Sequence, residues 1–216
     1  MTPRIAVVDY GAGNMVSIEQ ALTASGAEVH VARNATALED VDAIVVPGVG
    51  AAEPAMRRLE LRGLAAPILE WIAADRPYLG ICLGLQLLFE VSEEDGATTF
   101  GVLPGRTERL RDAPTLPHIG WNQVQRVRAH PLFDGIDADA DFYFVHSYAG
   151  TPAAEAGAMV VATTEHGAPF VSAVARGNVL GVQFHPERSA FDGLRLLGNF
   201  VSLVSTGARS RVGATG

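Results

Sequence analysis

The chain of 216 residues and 22.7 kDa is long enough for one α/β domain with a single substantial core. Its net charge of −8 and pI of about 5.2 are unlike those of a nucleic-acid-binding protein. No apolar stretch approaches the ~20 residues of a membrane span, and the short apolar run before Asp9 does not resemble a secretory signal. We therefore expect a cytoplasmic protein that binds neither nucleic acid nor a membrane.

Short apolar runs alternate with helical patterns through the first 90 residues. The runs are typical of strands buried in parallel sheets: Ile5 to Asp9, Glu28 to Ala32, Ala43 to Pro47 and Tyr78 to Ile81. Apolar residues recur at threes and fours in the segments 14–25, 53–62 and 65–74. This order predicts an α/β fold with a mostly parallel, doubly wound sheet flanked by helices. Ligands bind beyond the carboxyl ends of such strands, which places Asn14, Gly48 and Cys82 on one rim.

The pattern changes after residue 92. Residues 93–101 are typical of a polar loop, and short strand patterns follow at 121–127, 142–148, 158–164, 170–175 and 179–184. We expect an additional region of antiparallel strands there, packed beside the first sheet within one domain that spans residues 1–204. A last helix is predicted at 190–204, and the tail 205–216, which has few apolar residues, is predicted to be disordered.

The only cysteine, Cys82, stands where a predicted strand meets a predicted helix, in Gly80-Ile81-Cys82-Leu83-Gly84-Leu85-Gln86. Glycines two positions before and after it leave room for a sharp turn that projects the side chain from the sheet edge, as in a nucleophile elbow. The start of a helix also favours a thiolate over a thiol. The pattern predicts a nucleophile, although a lone cysteine is often only a small buried apolar side chain.

A candidate base follows the last strand pattern. His185 ends the apolar run Val179 to Phe184, and Pro186 and Glu187 come directly after it. A histidine and a carboxylate two residues apart can supply a base and the group that orients it, so with Cys82 they predict a Cys–His–carboxylate triad. The alternative is that His-Pro-Glu forms only a turn after an edge strand.

The two segments together resemble the triad signature of the class I glutamine amidotransferases. Further motifs narrow the resemblance: Asp9-Tyr10-Gly11-Ala12-Gly13-Asn14, Pro47-Gly48-Val49-Gly50, His118-Ile119-Gly120-Trp121-Asn122 and Tyr143-Phe144-Val145-His146-Ser147-Tyr148. In this order, from about residue 4 to residue 204, the set resembles the glutaminase subunits of imidazole glycerol phosphate synthase, which belongs to histidine biosynthesis.

The resemblance implies hydrolysis of glutamine to glutamate and ammonia by Cys82, His185 and Glu187. The elbow makes the N–H of Leu83 the first oxyanion donor, and the N–H of Val49 is expected to be the second. The family pattern implies contacts with glutamine at six positions, which are Gly50, Gln86, Glu94, His146, Ser147 and Tyr148. No cofactor and no metal are expected.

A partner is also implied, because free ammonia is protonated in neutral water and lost as a nucleophile. The family docks the glutaminase on a (β/α)8-barrel cyclase subunit in a heterodimer, and ammonia passes through the barrel. The cyclase then makes imidazole glycerol phosphate and aminoimidazole carboxamide ribotide. Asn14, Trp121 and Tyr143 match interface positions of the family. Arg188 stands where the family often has Lys, and its planar, bulkier head is expected to rearrange that contact with the partner.

Three alternatives remain at this point. The chain could be the glutaminase subunit of another ammonia-using synthase, such as pyridoxal phosphate synthase, although the motifs around Asp9 and His118 argue against it. It could be a catalytically silent, amidotransferase-like regulatory protein, although the triad is intact. A cysteine peptidase on a similar sheet is a weaker possibility, since it would not need Gln86.

Overall fold

The computed structural model describes residues 2–213, and the side chains of residues 2–207. The helices are α1 (Met15–Ala24), α2 (Ala52–Leu61), α3 (Ala65–Ala73), α4 (Leu83–Gln86) and α5 (Ala190–Gly213). The strands are β1 (Arg4–Val8), β2 (Glu28–Ala32), β3 (Ala43–Gly48), β4 (Tyr78–Cys82), β5 (Val91–Ser92), β6 (Gly105–Arg109), β7 (His118–Gln123), β8 (Gln125–Arg126), β9 (Asp141–His146), β10 (Tyr148–Pro152), β11 (Val160–His166), β12 (Ala168–Arg176) and β13 (Val179–Val182).

Eight strands form the main sheet, in the order β2-β1-β3-β4-β13-β12-β11-β8. The first five pair in parallel, and β12, β11 and β8 extend the sheet by antiparallel pairing. The strands β3 and β4 are buried along their whole length, as expected of strands covered on both faces. The α/β fold with a mostly parallel, flanked sheet is therefore confirmed.

Helices cover both faces of this sheet. On one face, Ile5 and Val7 of β1 pack with Ile18 and Leu22 of α1 and with the buried side of α5. On the other face, alternate residues of the same strands pack with α2 and α3. The strands β3, β4 and β13 are neighbours and run in parallel, so their carboxyl ends meet on one edge of the sheet.

The second half of the chain differs from the sequence expectation in two respects. Three of its antiparallel strands join the main sheet as an extension, so the antiparallel region does not lie only beside it. The segment predicted as one strand at 121–127 is split between β7 and β8, which lie in different sheets. Two strands without a sequence prediction, β6 and β10, pair with each other, and β6 also pairs with the short strand β5, which completes a three-stranded sheet. The strands β7 and β9 form a two-stranded sheet.

The C-terminal helix is longer than predicted. The sequence predicts an end near residue 204, after the apolar residues that pack on the sheet, but α5 continues to Gly213. Ser205 and Thr206 fit within it because their hydroxyls donate to the carbonyls of Val201 and Ser202, one turn earlier. The tail predicted to be disordered thus overlaps this helix as far as Gly213, and its residues 214–216 lie outside the described residues. The domain boundary at residue 204 stays a prediction.

Within residues 2–213, the structure contains no helix that is both long enough and apolar enough to cross a bilayer.

Candidate active site

The turn between β4 and α4 has the geometry of a nucleophile elbow. Cys82 has a φ of 54° and a ψ of −107°, a strained conformation for a residue with a side chain. A Cβ on Gly80 would overlap the backbone of Gly84, and a Cβ on Gly84 would overlap the carbonyl oxygen of Val46. The two glycines are required because backbone segments approach closely, and the result is a cysteine held at the sheet edge.

His185 lies beside this cysteine because β13 pairs with β4. Val182 is opposite Ile81, so the chain that leaves β13 passes Cys82. The N–H of His185 donates to the carbonyl of Tyr143 at 2.9 Å, and the hydroxyl of Ser189 donates to the carbonyl of His185 at 2.6 Å. These bonds fix the backbone of the His-Pro-Glu turn against β9.

The two side chains of that turn are paired and buried. His185 Nδ1 lies 2.9 Å from Glu187 Oε1, and each side chain is only 6% exposed. Burial alone would lower the pKa of His185, but the neighbouring Cys82 and then the Glu187 carboxylate outweigh it and raise that pKa to about 10. Because Glu187 occupies Nδ1, Nε2 is the nitrogen left for Cys82. His185 can therefore be charged while its Nε2 faces Cys82.

The loop after β3 reaches the same place. Gly48 is opposite Cys82 in the register of β3 and β4, and Val49, 46% exposed, follows it. The positive φ in this loop, 96°, is at Gly50. Gly48 is required for a different reason, since a Cβ there would overlap the buried hydroxyl of Tyr10. Leu83, the other predicted oxyanion donor, is the first residue of α4.

A cleft of about 160 Å³ opens onto Cys82. All six predicted glutamine contacts line it, which are Gly50, Gln86, Glu94, His146, Ser147 and Tyr148. Partial burial and then the neighbouring Asp95 carboxylate raise the pKa of Glu94, the only carboxylate among the lining residues. Gln86 is buried at the inner end, where its Nε2 donates to the carbonyl of Tyr148 at 2.8 Å.

The histidine in this wall is held in one neutral tautomer. His146 Nδ1 lies 2.9 Å from the carbonyl of Tyr148, so it donates there, and Nε2 accepts from His118 Nδ1 at 3.1 Å. The remaining nitrogen of His118 accepts from Asn122 Nδ2 at 3.1 Å. Burial lowers the pKa of His146 to about 3 and that of His118 to about 4. His146 is thus held neutral, and His185 is the candidate base.

Two features of the site had no sequence prediction. Pro117 and Val145 also line the cleft, and the carbonyl of Val145 lies 4.0 Å from Cys82 Sγ. Gln183 belongs to the run Val179 to Phe184, for which only a strand was predicted, yet its side chain contacts both Cys82 and Gln86. Its only signal in the sequence is its place two residues before His185, because the contact with Cys82 arises from the pairing of β4 with β13.

The four predicted partner-facing residues lie outside the cleft. Trp121 is 53% exposed and has an edge contact with Tyr143 across the β7–β9 pair, with 6.1 Å between ring centroids. The guanidinium of Arg188 lies over the ring of Tyr143, 4.1 Å from the ring centroid. Asn14 is the N-cap of α1, where its Oδ1 accepts from the N–H of Ser17 at 3.3 Å. Three of the four thus form one cluster.

No group of three or more His, Cys, Asp and Glu side chains that could hold a metal ion occurs among the described residues.

The sequence and the structure were compared with known proteins. The model of the class-I glutamine amidotransferase family matches residues 6–202. The imidazole glycerol phosphate synthase subunit HisH of Synechococcus sp. (strain JA-2-3B'a(2-13)) is 48% identical over 206 residues, which is 94% of either chain. HisH of Nitrosomonas europaea is 45% identical over 208 residues, covering 91% of this chain and 97% of that protein.

Solved structures agree on the fold. The structure of PurLQS from Thermotoga maritima matches with a TM-score of 0.74 at 19% identity, over 94% of this chain and 100% of that one. A glutamine amidotransferase from the same organism matches with a TM-score of 0.65 at 18% identity, over 98% of this chain and 86% of that one. Together with the sequence matches, these findings establish that the chain belongs to the class-I glutamine amidotransferases and, within them, to the HisH subunits of imidazole glycerol phosphate synthase.

Proposed function

We propose that the chain hydrolyses glutamine through Cys82, His185 and Glu187 and delivers the ammonia to a cyclase subunit in histidine biosynthesis, in the cytoplasm. The observation that carries this proposal is the strained Cys82 at the inner end of a cleft, beside a histidine whose pKa is raised and whose Nδ1 is held by a carboxylate. The relatives named as HisH subunits support the choice of pathway.

The proposed reaction has two steps, formation and hydrolysis of a thioester, and both take place at the sulfur of Cys82. The Cys82 thiolate attacks the side-chain carbonyl carbon of glutamine, and His185 donates its proton to the amide nitrogen as the C–N bond breaks. Ammonia leaves, and a γ-glutamyl thioester remains. His185, now neutral, takes a proton from water, whose oxygen attacks the thioester, and the C–S bond breaks to release glutamate and the thiolate. Glu187 holds the imidazole orientation in both steps.

The tetrahedral intermediates place negative charge on the former carbonyl oxygen. We assign the N–H of Leu83 as one donor, since it follows the nucleophile at the start of α4. The N–H of Val49 is the second, because Gly48 pairs with Cys82 and so brings the following peptide to the cleft.

Different polar groups that line the cleft suit different groups of the substrate glutamine. The carboxylate of Glu94 suits the α-ammonium group of glutamine, and the backbone at Ser147 and Tyr148 suits its α-carboxylate. Both protons of Gln86 Nε2 have protein acceptors, the carbonyl of Tyr148 and Gln183 Oε1. Its Oε1 is therefore the atom available for a donor on the substrate.

For the partner, we propose a (β/α)8-barrel cyclase that docks as a heterodimer over the exposed cluster of Trp121, Tyr143 and Arg188, with Asn14 at the edge of the contact. Arg188 adjoins the candidate base, because its N–H donates to the carbonyl of His185 at 3.0 Å, so a partner seated on this cluster would lie next to His185. The backbone of Tyr143 also binds His185 directly, which supports an influence of docking on the base.

The test is the replacement of Cys82 by Ala or Ser in the complex with the cyclase. Alanine and serine meet the same backbone strain at this positive φ as cysteine does, because all three have a Cβ. We therefore expect the fold and partner binding to be unchanged. Glutamine-dependent turnover should fall to background, while turnover supported by added ammonia should remain. Comparable glutaminase activity in the Cys82→Ala complex would refute the assignment of the nucleophile.

A further inference from the structure

The side chain of Gln183 lies between the nucleophile and the inner end of the substrate cleft. Gln183 follows β13 directly and is fully buried. Its Nε2 donates to Cys82 Sγ at 3.6 Å, and its Oε1 accepts from Gln86 Nε2 at 3.1 Å. One carboxamide therefore contacts both the attacking atom and a residue that lines the glutamine cleft.

The surrounding bonds determine which end of this carboxamide faces the sulfur. Gln86 Nε2 also donates to the backbone carbonyl of Tyr148 at 2.8 Å, which identifies it as the nitrogen. The atom of Gln183 that meets this nitrogen must accept, so it is Oε1, and the NH₂ group is turned toward Cys82. The backbone of Gln183 is anchored as well, by its N–H to the carbonyl of Ser172 at 2.9 Å.

This arrangement matters for the reaction because an ionised sulfur accepts hydrogen bonds far better than a thiol does. A hydrogen bond to a charged group is worth about twice a neutral one. The bond also directs the sulfur, since the donor is fixed by β13 while Cys82 is fixed by the elbow. A buried glutamine with only a packing role would not need its NH₂ group aimed at the reacting atom.

We propose that Gln183 is a positioning residue of the reaction: it donates a hydrogen bond to the ionised sulfur of Cys82 and couples the sulfur to Gln86 at the substrate cleft. The inference rests on the proposed function in that Cys82 is taken as the nucleophile.

The test measures ionisation of the sulfur without turnover. Cys82 is the only cysteine, so the rate of alkylation by iodoacetamide as a function of pH reports on this thiol alone. The variants are Gln183→Met, which keeps the length without a donor, and Gln183→Glu, which keeps the shape but places a carboxylate at the sulfur. Gln125→Met and Gln125→Glu, on the exposed strand β8, are the matched controls.

We expect the alkylation midpoint to move up by about one unit or more in Gln183→Met, and further in Gln183→Glu, while both controls match the wild type. In the cyclase complex, kcat with glutamine should fall by about tenfold or more in Gln183→Met, with a smaller change in KM. The other ionisable groups near the sulfur are present in every variant: His185, Glu187, His146, Glu94 and Tyr10.

An unchanged midpoint in a folded Gln183→Met protein would overturn the proposal. If that variant does not fold, the isosteric Gln183→Glu decides, and an unchanged midpoint there has the same meaning. Loss of turnover with an unshifted midpoint would also count against it, because it indicates a packing role. Failure of the proposed function is distinguishable from failure of this inference. In that case the wild-type complex would have no glutaminase activity, while the alkylation midpoints of the variants could still be compared.

Discussion

The bond between His185 Nδ1 and Glu187 Oε1 determines which ring nitrogen faces the sulfur. Glu187 does not line the cleft, so its effect on glutamine is indirect. Its charge is among the causes that raise the pKa of His185. In the proposed mechanism this keeps the imidazole protonated until ammonia leaves, so we expect Glu187 to contribute to the chemical step and little to substrate affinity.

Replacement of Glu187 by Gln is expected to lower kcat by about 10²–10⁴-fold with little change in KM. The amide removes a negative charge that raises the pKa of His185, so the alkaline limb of the kcat profile should move to lower pH. The measurement is the pH–rate profile of the complex with each variant. Glu155→Gln, the same charge change at an exposed position, is the control. A large rise in the glutamine dissociation constant with normal single-turnover chemistry would make Glu187 a binding residue.

The proximity of Cys82, His185 and Glu187 could be predicted because each lies in a short contiguous motif whose chemistry is visible without the fold. Gln183 could not be assigned in this way, since its contact with Cys82 depends on the parallel pairing of β4 and β13 across about a hundred residues of chain. Gly48 shows a related limit. The sequence marks the loop as tight, but the hydroxyl of Tyr10 that forbids a side chain there comes from another motif.

At the scale of elements, the elbow depends on contact between α4 and the neighbouring strand β3. A Cβ at position 84 would overlap the Val46 carbonyl, and neither backbone can move without displacing a buried strand. Gly84→Ala should therefore lower the free energy of unfolding by about 3 kcal/mol, the upper end of the range for overpacked interiors.

The control for this substitution is Gly198→Ala in α5, where a Cβ meets nothing within 4 Å. Alanine at an unobstructed helix position should raise stability by about 0.5–1 kcal/mol. Denaturant unfolding of both variants distinguishes the two effects. Equal stability of Gly84→Ala and the wild type would show that the close approach of α4 to β3 is not required.

The loop after β3 is the second element on which activity depends. Val49 lies between Gly48 and Gly50, so the Gly48–Val49 peptide is a candidate for rotation, and a resting state that withholds the Val49 N–H would lose one oxyanion donor. The loss of one such donor costs about 10²–10³ in rate.

We expect the isolated chain to be nearly inactive and the cyclase with its nucleotide ligand to raise the rate by at least that factor. The measurement is glutaminase rate for the chain alone, with cyclase, and with cyclase plus ligand, and equal rates would exclude gating.

Elements with strong apolar patterns were predictable to within one or two residues, as β3 and α3 show. The strand β6 was not, because only Thr107 of its five residues is buried and the other four include Arg106, Glu108 and Arg109. It is a strand because β10 and β5 pair with it, and no local apolar pattern records that pairing. The end of α5 was misplaced for the opposite reason, since the helix continues after its apolar contacts with the sheet end.

At the scale of the whole molecule, the groups proposed for chemistry follow strands of the main sheet, while part of the wall proposed to bind substrate comes from the two smaller sheets. The nucleophile, the oxyanion loop and the base follow β4, β3 and β13, which are adjacent in the middle of the eight-stranded sheet. His118 and His146, by contrast, come from the two-stranded sheet of β7 and β9, and Tyr148 begins a strand of the three-stranded sheet.

This division has a consequence for local unfolding. The amides of β4 are paired on both sides within the core, so their exchange with deuterated solvent should require opening of the whole domain. Those of β7, which pairs with β9 alone, can open at a lower free energy and should exchange orders of magnitude faster. Native-state hydrogen exchange, followed by mass spectrometry with and without the cyclase, measures both. The strands β3, β4 and β13 would then stay closed while β7 and β9, which form part of the cleft wall, open locally. Glutamine could enter and glutamate leave without displacement of the proposed nucleophile.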